Sequence, residues 1–309
     1  MSLASKRKDK LQVLQDRSFM LKKVRQYFYD RGVQEVDCSA LNVFPSLDPY
    51  IEPIKIFLDD ADIRFLHTSP EYGMKKLLSL GMSDIFQLSH VFRKEEEGRL
   101  HLTEFMMAEW YRLNIETRDF LQEAVDLIGL FLAEKPYNIL SYTEALTRYA
   151  KIHEHWEKEE ILKFLPQLPH ECESWTKEEL FHYIWSCLVQ PNLGQNEITI
   201  ITDFPKEEAA LSQTHKKLGK EVAKRFEFYI EGLEIANGYH ELTDADEHRI
   251  RFAKINQKRK ALGKEILPVD TTFLHALDSK IPDCHGIAVG FDRLMMLRHH
   301  KNHILDVVP

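Results

Sequence analysis

Three segments of the sequence combine residue types that could bind a phosphorylated ligand. In the first, residues 91–105, Arg93 closes one apolar stretch and Phe105 lies in the next. An arginine at a strand end offers a fixed fork to a phosphate, and a phenylalanine can stack on a base. A solvated charged turn explains the same residues. Taken alone, this segment favours that structural interpretation.

The second segment carries Glu227, Glu234 and Glu241, spaced by seven residues. The apolar alternation over residues 226–230, followed by Gly232, favours a strand over a single helix face. Carboxylates on a sheet can hold Mg²⁺ against phosphates or pair with a substrate ammonium. Solubilising charge on an edge strand accounts for them equally well.

The third segment is a short apolar strand flanked by Gly286 and Gly290, after which Arg293 stands in the first turn of a helix. Glycines let the backbone approach a ligand, and the guanidinium would lie near a phosphate. A strand–helix junction with a surface arginine is also common. The sequence contains no GxGxxG or GxxxxGK[ST] loop, so other groups would have to hold a nucleotide.

The elements around these segments predict an α+β fold, an antiparallel sheet flanked by helices. Strands come in hairpin-like pairs, of which 84–92 with 104–112 is the clearest, and they do not alternate with crossover helices. Thr117 is the expected N-cap of one helix. The predicted helices cover residues 11–31, 72–80, 117–134, 247–262 and 290–298, and residues of about 140–190 form a helical insertion.

Composition sets the broad class. The 309 residues are 44% hydrophobic and 29% charged, as in globular proteins, and we predict a single catalytic domain over 1–309. No apolar run reaches the length of a membrane span, and the first residues lead into no apolar stretch, so neither an anchor nor a signal peptide is expected. Four widely spaced cysteines argue against a zinc site and disulfides, which favours the cytoplasm.

Charge is unevenly distributed along the chain. Residues 1–31 hold nine Lys and Arg against three Asp, a local +6 that leaves −14 for the rest of a chain whose total is −8. A net acidic protein is a poor general nucleic-acid binder. The basic first helix has two explanations, a solvated face or a surface for an acidic partner.

In their order, the three segments resemble the catalytic domain of class II aminoacyl-tRNA synthetases. Residues 92–95 (Phe-Arg-Lys-Glu) resemble motif 2, and residues 290–293 (Gly-Phe-Asp-Arg) resemble motif 3. Residues 68–71, 105–111 and 234–244 are similar to the lysyl branch, and most of all to its short relatives that attach β-lysine to a lysine of elongation factor P. The similarity covers nearly the whole chain and is weakest at 40–60 and 150–200.

The resemblance implies a role for individual residues. Arg93 would hold the α-phosphate of ATP and Arg293 the γ-phosphate, both as catalytic residues, while Glu95 would read the adenine amino group. The implied ATP-binding set is Arg93, Lys94, Glu95, His101, Phe105, Glu234, Ile235, Gly290 and Arg293. The implied Mg²⁺ ligands are Glu227 and Glu234, and the implied substrate pocket is formed by Ser69, Pro70, Glu71, Tyr111, Glu241 and Ala288.

The reaction that the resemblance implies is ATP-dependent activation of (R)-β-lysine as an acyl-adenylate and transfer to a lysine of elongation factor P, by a homodimer. Two places depart from the family pattern. Residues 35–39 lack the usual proline of motif 1, the dimer-forming element, and Leu102-Thr103 stands where Asn-Pro is usual in motif 2.

Two other functions remain open. For lysyl-tRNA synthesis we expect an anticodon-binding domain, but only about 30 residues precede the first predicted strand, so stable tRNA binding is not expected. Ala288 also replaces the glycine usual in the tRNA enzymes, and one methyl in a pocket gives about 1–3 kcal/mol of discrimination. A catalytically silent paralogue should have lost its ATP-contacting residues, and only position 102 shows such a change.

Overall fold

The computed structural model describes residues 3–59, 61–94 and 97–309, with side chains from residue 7 onward. Its α-helices are α1 (Leu3–Tyr29), α2 (Glu71–Ser79), α3 (Thr117–Gly129), α4 (Tyr142–Ala145), α5 (Lys158–Phe164), α6 (Lys177–Ile184), α7 (Ala245–Ala261), α8 (Thr271–Asp278) and α9 (Phe291–Arg298). Its strands are β1 (Gln34–Glu35), β2 (Leu41–Asn42), β3 (Lys55–Phe57), β4 (Ile63–Leu66), β5 (Ile85–Phe92), β6 (Glu104–Leu113), β7 (Tyr137–Ser141), β8 (Ile198–Pro205), β9 (Thr214–Lys217), β10 (Lys220–Ile230), β11 (Leu233–His240) and β12 (Cys284–Gly290).

Two compact units divide the chain. The first comprises Met1–Glu134, Ala210–Gln213 and Gly238–Pro309, and the second comprises Lys135–Ala209 and Thr214–Asn237. The helical residues predicted at about 140–190 lie within the second unit. That the whole chain acts as one catalytic domain stays a prediction.

The sheet of the first unit is built on the predicted hairpin. Strands β5 and β6 pair antiparallel from Ile85 opposite Tyr111 to Phe92 opposite Glu104, which confirms that hairpin. Strand β12 pairs antiparallel with the other edge of β6, and β1 runs parallel to β5. A separate small antiparallel sheet has the order β2-β4-β3. The α+β prediction with a mainly antiparallel sheet is confirmed.

Helix α1 packs against this sheet through an apolar stripe at helical spacing. Val13, Met20, Val24 and Phe28 are fully buried, and the Phe28 ring stacks on Phe86 with centroids 4.4 Å apart. The helix begins at Leu3. The sequence predicted its start only at residue 11, because the residues before 11 are mostly polar and show no apolar period. It ends close to the predicted glycine at 32.

Helix α1 is also joined to the C-terminal part of the first unit by ion pairs. Arg17 and Asp292, both buried, form an ion pair, and Lys301 Nζ lies 2.6 Å from Asp9. Asp16 pairs with Arg298 and lies 2.9 Å from His299. Arg17 and two of the three aspartates of residues 1–31 are therefore paired within the fold.

Helices α2, α7 and α8 enclose a second apolar core of the first unit. The rings of Tyr72 and Phe273 stack at 4.3 Å, and Phe252 packs beside them. The sequence did not predict α8, although Asp270 is a normal N-cap whose carboxylate accepts from the backbone N–H of Phe273 at 2.9 Å. Eight residues are too few for a clear apolar period.

One predicted cap is wrong. Helix α3 has Glu116 as its N-cap and ends at Gly129, before the predicted end at 134. The Thr117 hydroxyl is instead 2.9 Å from Nε2 of His285. Thr117 is therefore the first residue of the helix. Its hydroxyl contacts His285 and does not cap the backbone N–H groups of the first turn.

In the second unit, β8 pairs antiparallel with β10 and parallel with β7. The strand predicted around residues 225–235 is a hairpin arm, β10, followed by a turn in which Glu231 and Gly232 have φ of 52° and 75°, after which β11 continues. Such positive angles are typical of a type I′ turn. Asn237-Gly238, a second turn signal in the sequence, lies inside β11.

The helices of the second unit share a core with its strands. Tyr142 and Trp185 stack face to face at 4.4 Å, and Phe204 packs beside both rings. None of the helices formed by the described residues is both long and apolar enough to cross a lipid bilayer. All four cysteines are free thiols.

Candidate functional site

One part of the site lies where the β5–β6 hairpin leaves the sheet. Arg93 directly follows β5, and its guanidinium carbon lies 5.1 Å above the centroid of the Phe105 ring on β6. The backbone N–H of Arg93 donates to Thr103 O at 2.9 Å, which continues the ladder beyond the strands. The pairing holds a cation and an aromatic face side by side, an arrangement suited to a purine nucleotide.

The second arginine of the predicted set reaches the same hairpin. Nη2 of Arg293, at the start of α9, donates to Nε2 of His101 at 2.6 Å. Its neighbour Asp292 is fixed by Arg17 and by the backbone N–H of Met106, which donates to Asp292 at 2.8 Å. Gly290 is the N-cap residue of α9, and as a glycine it has no side chain to cap the helix. The structure therefore brings Arg93, Phe105, His101 and Arg293 to one hairpin.

Three further residues of the predicted ATP set are less informative. Lys94 is exposed, and its backbone N–H donates to Glu52 O at 2.9 Å. Glu95 lies outside the described residues. Ile235, in β11, is buried at 2% exposure. The substitution of Leu102-Thr103 for Asn-Pro leaves the backbone pairing of the hairpin intact, since the Thr103 carbonyl accepts from Arg93.

The other part of the site is a group of three carboxylates, Glu71, Glu109 and Glu241, which we call the carboxylate pocket. Glu109 and Glu241 are 3% and 2% exposed, and Glu71 is half-buried. Burying carboxylates is costly unless they are paired or hydrogen-bonded. A group of three carboxylates this close together is therefore unusual in a protein core. Each carboxylate has specific partners here.

Two hydroxyls hold Glu109. The Ser69 hydroxyl donates to one oxygen at 2.7 Å, and the Tyr111 hydroxyl donates to the other at 2.8 Å. Burial, with the charge of Glu71, raises the pKa of Glu109 to about 7, although the two hydrogen bonds oppose this. Pro70, also predicted for this pocket, is the buried N-cap of α2, the helix that carries Glu71.

A lysine joins the other two carboxylates. Lys75 is 1% exposed, and its Nζ donates to Glu71 at 2.6 Å and lies 2.6 Å from Oε2 of Glu241. Burial raises the pKa of Glu241 to about 8; Lys75 lowers it and Glu71 raises it further. Burial alone would lower the pKa of Lys75, but Glu241 and then Glu71 raise it overall.

Strand β12 shapes the pocket through two small residues. Gly286 is the register partner of Tyr111, and Ala288 is that of Glu109. A Cβ on Gly286 would lie 2.2 Å from Oε1 of Glu241 and 2.4 Å from the Tyr111 ring, so only glycine allows this approach. Opposed residues share a sheet face, which places Ala288 on the face of Glu109.

Both parts of the site lie along one strand. Phe105, Glu109 and Tyr111 alternate on the same face of β6, because side chains two residues apart in a strand point the same way. Phe105 and Tyr111 are six residues apart, or about 20 Å along the strand. One sheet face therefore presents an aromatic ring with a guanidinium at one end and buried carboxylates at the other.

The two predicted metal ligands belong to the second unit. Glu227 is buried, and both its oxygens accept hydrogen bonds, one from Arg225 and one from the hydroxyl of Tyr229. Burial raises the pKa of Glu227; Arg225 lowers it and the charge of Glu234 raises it. Two carboxylates that repel each other are chemically suited to a divalent cation. Within the described residues, no three His, Cys, Asp or Glu side chains form a metal-binding group.

Sequence reasoning missed two charged residues of the site and underused a third. Lys75 could have been paired with Glu71 from their i,i+4 spacing in a predicted helix, but nothing in the sequence connects it to Glu241. Arg225 lies two residues before Glu227 on β10 and forms an ion pair with it. Glu109 falls within residues 105–111, which carry part of the resemblance, but the resemblance implied no role for it.

Comparisons with known proteins show the family to which the chain belongs. A model of the family of tRNA synthetases class II (D, K and N) matches residues 2–309. The elongation factor P–(R)-β-lysine ligase of Haemophilus ducreyi is 38% identical over 305 residues, which cover 96% of this chain and 93% of the relative. The ligases of the same name from Pasteurella multocida and Haemophilus influenzae are 37% and 36% identical over 299 residues, with 94% of this chain and 92% of each relative covered.

Proposed function

This chain belongs to the family of class II tRNA synthetases (D, K and N) and is an ATP-dependent ligase, and from that premise we propose that it activates (R)-β-lysine and transfers it to a lysine of elongation factor P. The names of relatives covering nearly its whole length support the substrate pair. The observation that carries the proposal is a single face of β6. At one end of this face the Arg93 guanidinium lies over the Phe105 ring, and the other end contributes to the pocket of three carboxylates.

The charge of the carboxylate pocket supports a diamino acid. Glu71, Glu109 and Glu241 can together carry three negative charges against the one positive charge of Lys75, so the described pocket can reach a net charge of −2. β-Lysine brings two ammonium groups, whose two positive charges would balance those of the pocket, while its carboxylate would be directed at ATP. Glu241 and Tyr111 would receive the side-chain ammonium, and Ser69, Pro70 and Glu71 would line the other end of the substrate.

In the first step, a carboxylate oxygen of β-lysine attacks the α-phosphorus of ATP. A new P–O bond forms as the bond to the β-phosphate breaks, and pyrophosphate leaves. This step needs alignment and neutralised charge more than a protein nucleophile or base. Arg93 would hold the α-phosphate and Arg293 the γ-phosphate, with adenine on Phe105 and Gly290 beneath the nucleotide. Lys94, Glu95, His101 and Ile235 would complete the ATP site.

In the second step, the amine of the acceptor lysine attacks the acyl carbon of the adenylate. An amide bond forms, AMP leaves, and the amine loses a proton. Mg²⁺ would neutralise the phosphate charges of ATP in the first step, held by Glu227 and Glu234. For Glu227 to accept a metal, its bond to Arg225 or Tyr229 would have to be exchanged for the cation.

The remaining parts of the proposal concern assembly and place of action. We propose that residues 1–309 act as one catalytic domain, as a homodimer, in the cytoplasm and without stable binding of tRNA. The four free thiols agree with a reducing compartment. Light scattering of the purified protein measures the oligomer, and a monomer at micromolar concentration would contradict the dimer.

The decisive experiment is ATP–pyrophosphate exchange with Mg²⁺ and without tRNA, comparing α-lysine with both enantiomers of β-lysine. We expect exchange that is strongest with (R)-β-lysine, and transfer of label to elongation factor P. Glu241→Gln should raise the KM for the amino acid and leave the KM for ATP within about twofold. Exchange with α-lysine alone would favour the tRNA-related reaction, and exchange with none would favour a silent paralogue.

Ala288 gives a test of the amino-acid isomer. Removing its methyl in Ala288→Gly should shift the preference, measured as the ratio of kcat/KM values, toward α-lysine by about 10- to 100-fold, the effect of one methyl in a pocket. The matched control is Ala108→Gly, a buried alanine on β6 opposite Val289. An unchanged ratio in Ala288→Gly would contradict the role of the methyl in isomer choice.

A further inference from the structure

The carboxylate pocket contains a charged group that the proposed reaction leaves unused, the ammonium of Lys75. It is among the largest fully buried side chains of the described residues, and it lies 2.6 Å from an oxygen of Glu71 and 2.6 Å from an oxygen of Glu241. These are two of the carboxylates to which the substrate is assigned. The substrate therefore meets carboxylates that already share an internal cation.

The two oxygens of Glu241 have different surroundings. Oε2 faces Lys75, whereas Oε1 lies over the backbone of Gly286, beside the Tyr111 ring. Lys75 is rigidly placed, since it projects from α2 four residues after Glu71 and both partners fix its ammonium. The orientation of the Glu241 carboxylate thus depends on Lys75 on one side and on a missing Cβ on the other.

We propose that Lys75 is a positioning residue for the substrate: its ammonium holds Glu71 and Glu241 on either side and leaves Oε1 of Glu241 to bind an ammonium group of the incoming diamino acid. The inference deepens the proposed function and rests on it. It assigns no contact between Lys75 and the substrate. Lys75 acts through the two carboxylates it joins.

Few other groups around Glu241 can titrate near neutral pH. Burial raises the pKa of Tyr111 on β6 and of Cys284 on β12, so both stay protonated, and it lowers the pKa of His248 on α7 to about 3, so its ring stays neutral. Glu71, Glu109 and Lys75 remain as the charges that act on Glu241. Lys75 lowers the pKa of Glu241, and Glu71 and Glu109 raise it.

Opposite effects of two substitutions follow. In Lys75→Met, Glu241 loses its counter-ion, so the fall of kcat/KM for β-lysine on the acid side should move up by at least about one pH unit. At pH 7 the KM for β-lysine should rise at least about tenfold, with the KM for ATP within about twofold. In Glu71→Gln the acid-side fall should move to lower pH, whatever happens to the KM.

Two further variants separate charge from structure. Lys75→Arg keeps the cation, so the position of the acid-side fall should return to that of the wild type even if the larger side chain lowers the rate. Lys76→Met is the matched control: this neighbouring lysine of α2 pairs with Asp270 at 2.6 Å, outside the pocket. It should leave the pH profile unchanged.

Titration of Glu241 by ¹³C NMR of its carboxyl group, without substrate, makes the test independent of the proposed function. We expect its pKa to rise in Lys75→Met and to fall in Glu71→Gln. If exchange fails with every diamino acid, the proposed function is wrong, while the titration still measures the effect of Lys75. An unchanged or lower pKa in Lys75→Met would overturn the inference. If that variant does not fold, an unchanged or higher pKa in Glu71→Gln would do so.

Discussion

At the scale of single residues, the pocket is built at the expense of stability. Glu109 is buried among other carboxylates and is kept there by hydrogen bonds from Ser69 and Tyr111. Its pKa of about 7 lies above the ordinary glutamate range, which means that the folded protein favours the protonated form. A site shaped for the ammonium groups of a substrate therefore lowers the stability of the protein while no substrate is bound, as functional sites often do.

A stability measurement tests this cost. Between pH of about 4.5 and about 7 the folded state binds more protons at Glu109 than the unfolded state, so its contribution falls as pH rises, by at most about 1.4 kcal/mol per unit. Glu109→Gln removes that loss. We expect the variant to gain unfolding free energy relative to the wild type from pH 5 to pH 8, measured in urea. Glu104→Gln, an exposed carboxylate of the same strand, should show no such gain. A difference that stays constant with pH would contradict the expectation.

At the scale of elements, the sequence predicted those that have a clear period or a glycine at their end. Helices α1, α2 and α7 and the β5–β6 hairpin were predicted with errors only at their ends. Helix α8 and strand β7 were missed because short elements carry too few residues for a period to be evident. The contacts of the pocket could not be predicted, since Lys75 and Glu241 meet only through the packing of α2 against the sheet.

One glycine of the second unit controls how two of its segments approach. Gly194 has φ of 70°, and a Cβ there would lie 2.3 Å from the backbone oxygen of Tyr229 on β10. Because backbone cannot move aside cheaply, Gly194→Ala should destabilise the protein by at least about 2 kcal/mol in urea unfolding. Gly219→Ala is the matched control: it has φ of 82° but nothing within 4 Å, so only the strain of about 1 kcal/mol applies. Equal losses for both would contradict the close approach as the cause.

At the scale of the whole molecule, the basic first helix is only partly available to a partner. Arg17 is buried in its pair with Asp292, and Nε of Arg25 lies 2.8 Å from Glu35. Lys22 and Lys23 are exposed, and Lys23 lies over the ring of Phe19. If the helix contacts an acidic acceptor protein, these two lysines, with the exposed Arg7 and Lys8, are the side chains available to carry it.

Charge reversal of both lysines tests that contact. Lys22→Glu with Lys23→Glu should raise the KM for elongation factor P on the order of tenfold at low salt, less at high salt, and leave pyrophosphate exchange unchanged. Lys254→Glu with Lys260→Glu, on the exposed side of α7, makes the same change of net charge elsewhere. Equal effects of the two double variants would assign the result to net charge, and loss of exchange in the first would point to damage of the fold.

The pairing of Arg17 with Asp292 has a consequence for the order in which parts of the protein can fold during synthesis. The two residues are 275 positions apart, and Asp292 stands beside Arg293 at the start of α9. A ribosome has therefore produced most of the chain before α1 meets its buried partner, and until then the apolar stripe of Val13, Met20 and Val24 has no complete core to enter. Along the sequence, both segments of the second unit fall between these two residues, and the later segment ends at Asn237. During synthesis the middle of the chain can fold before α1 has met its partner near the C-terminus, and partly folded chains that expose apolar surface are prone to aggregate.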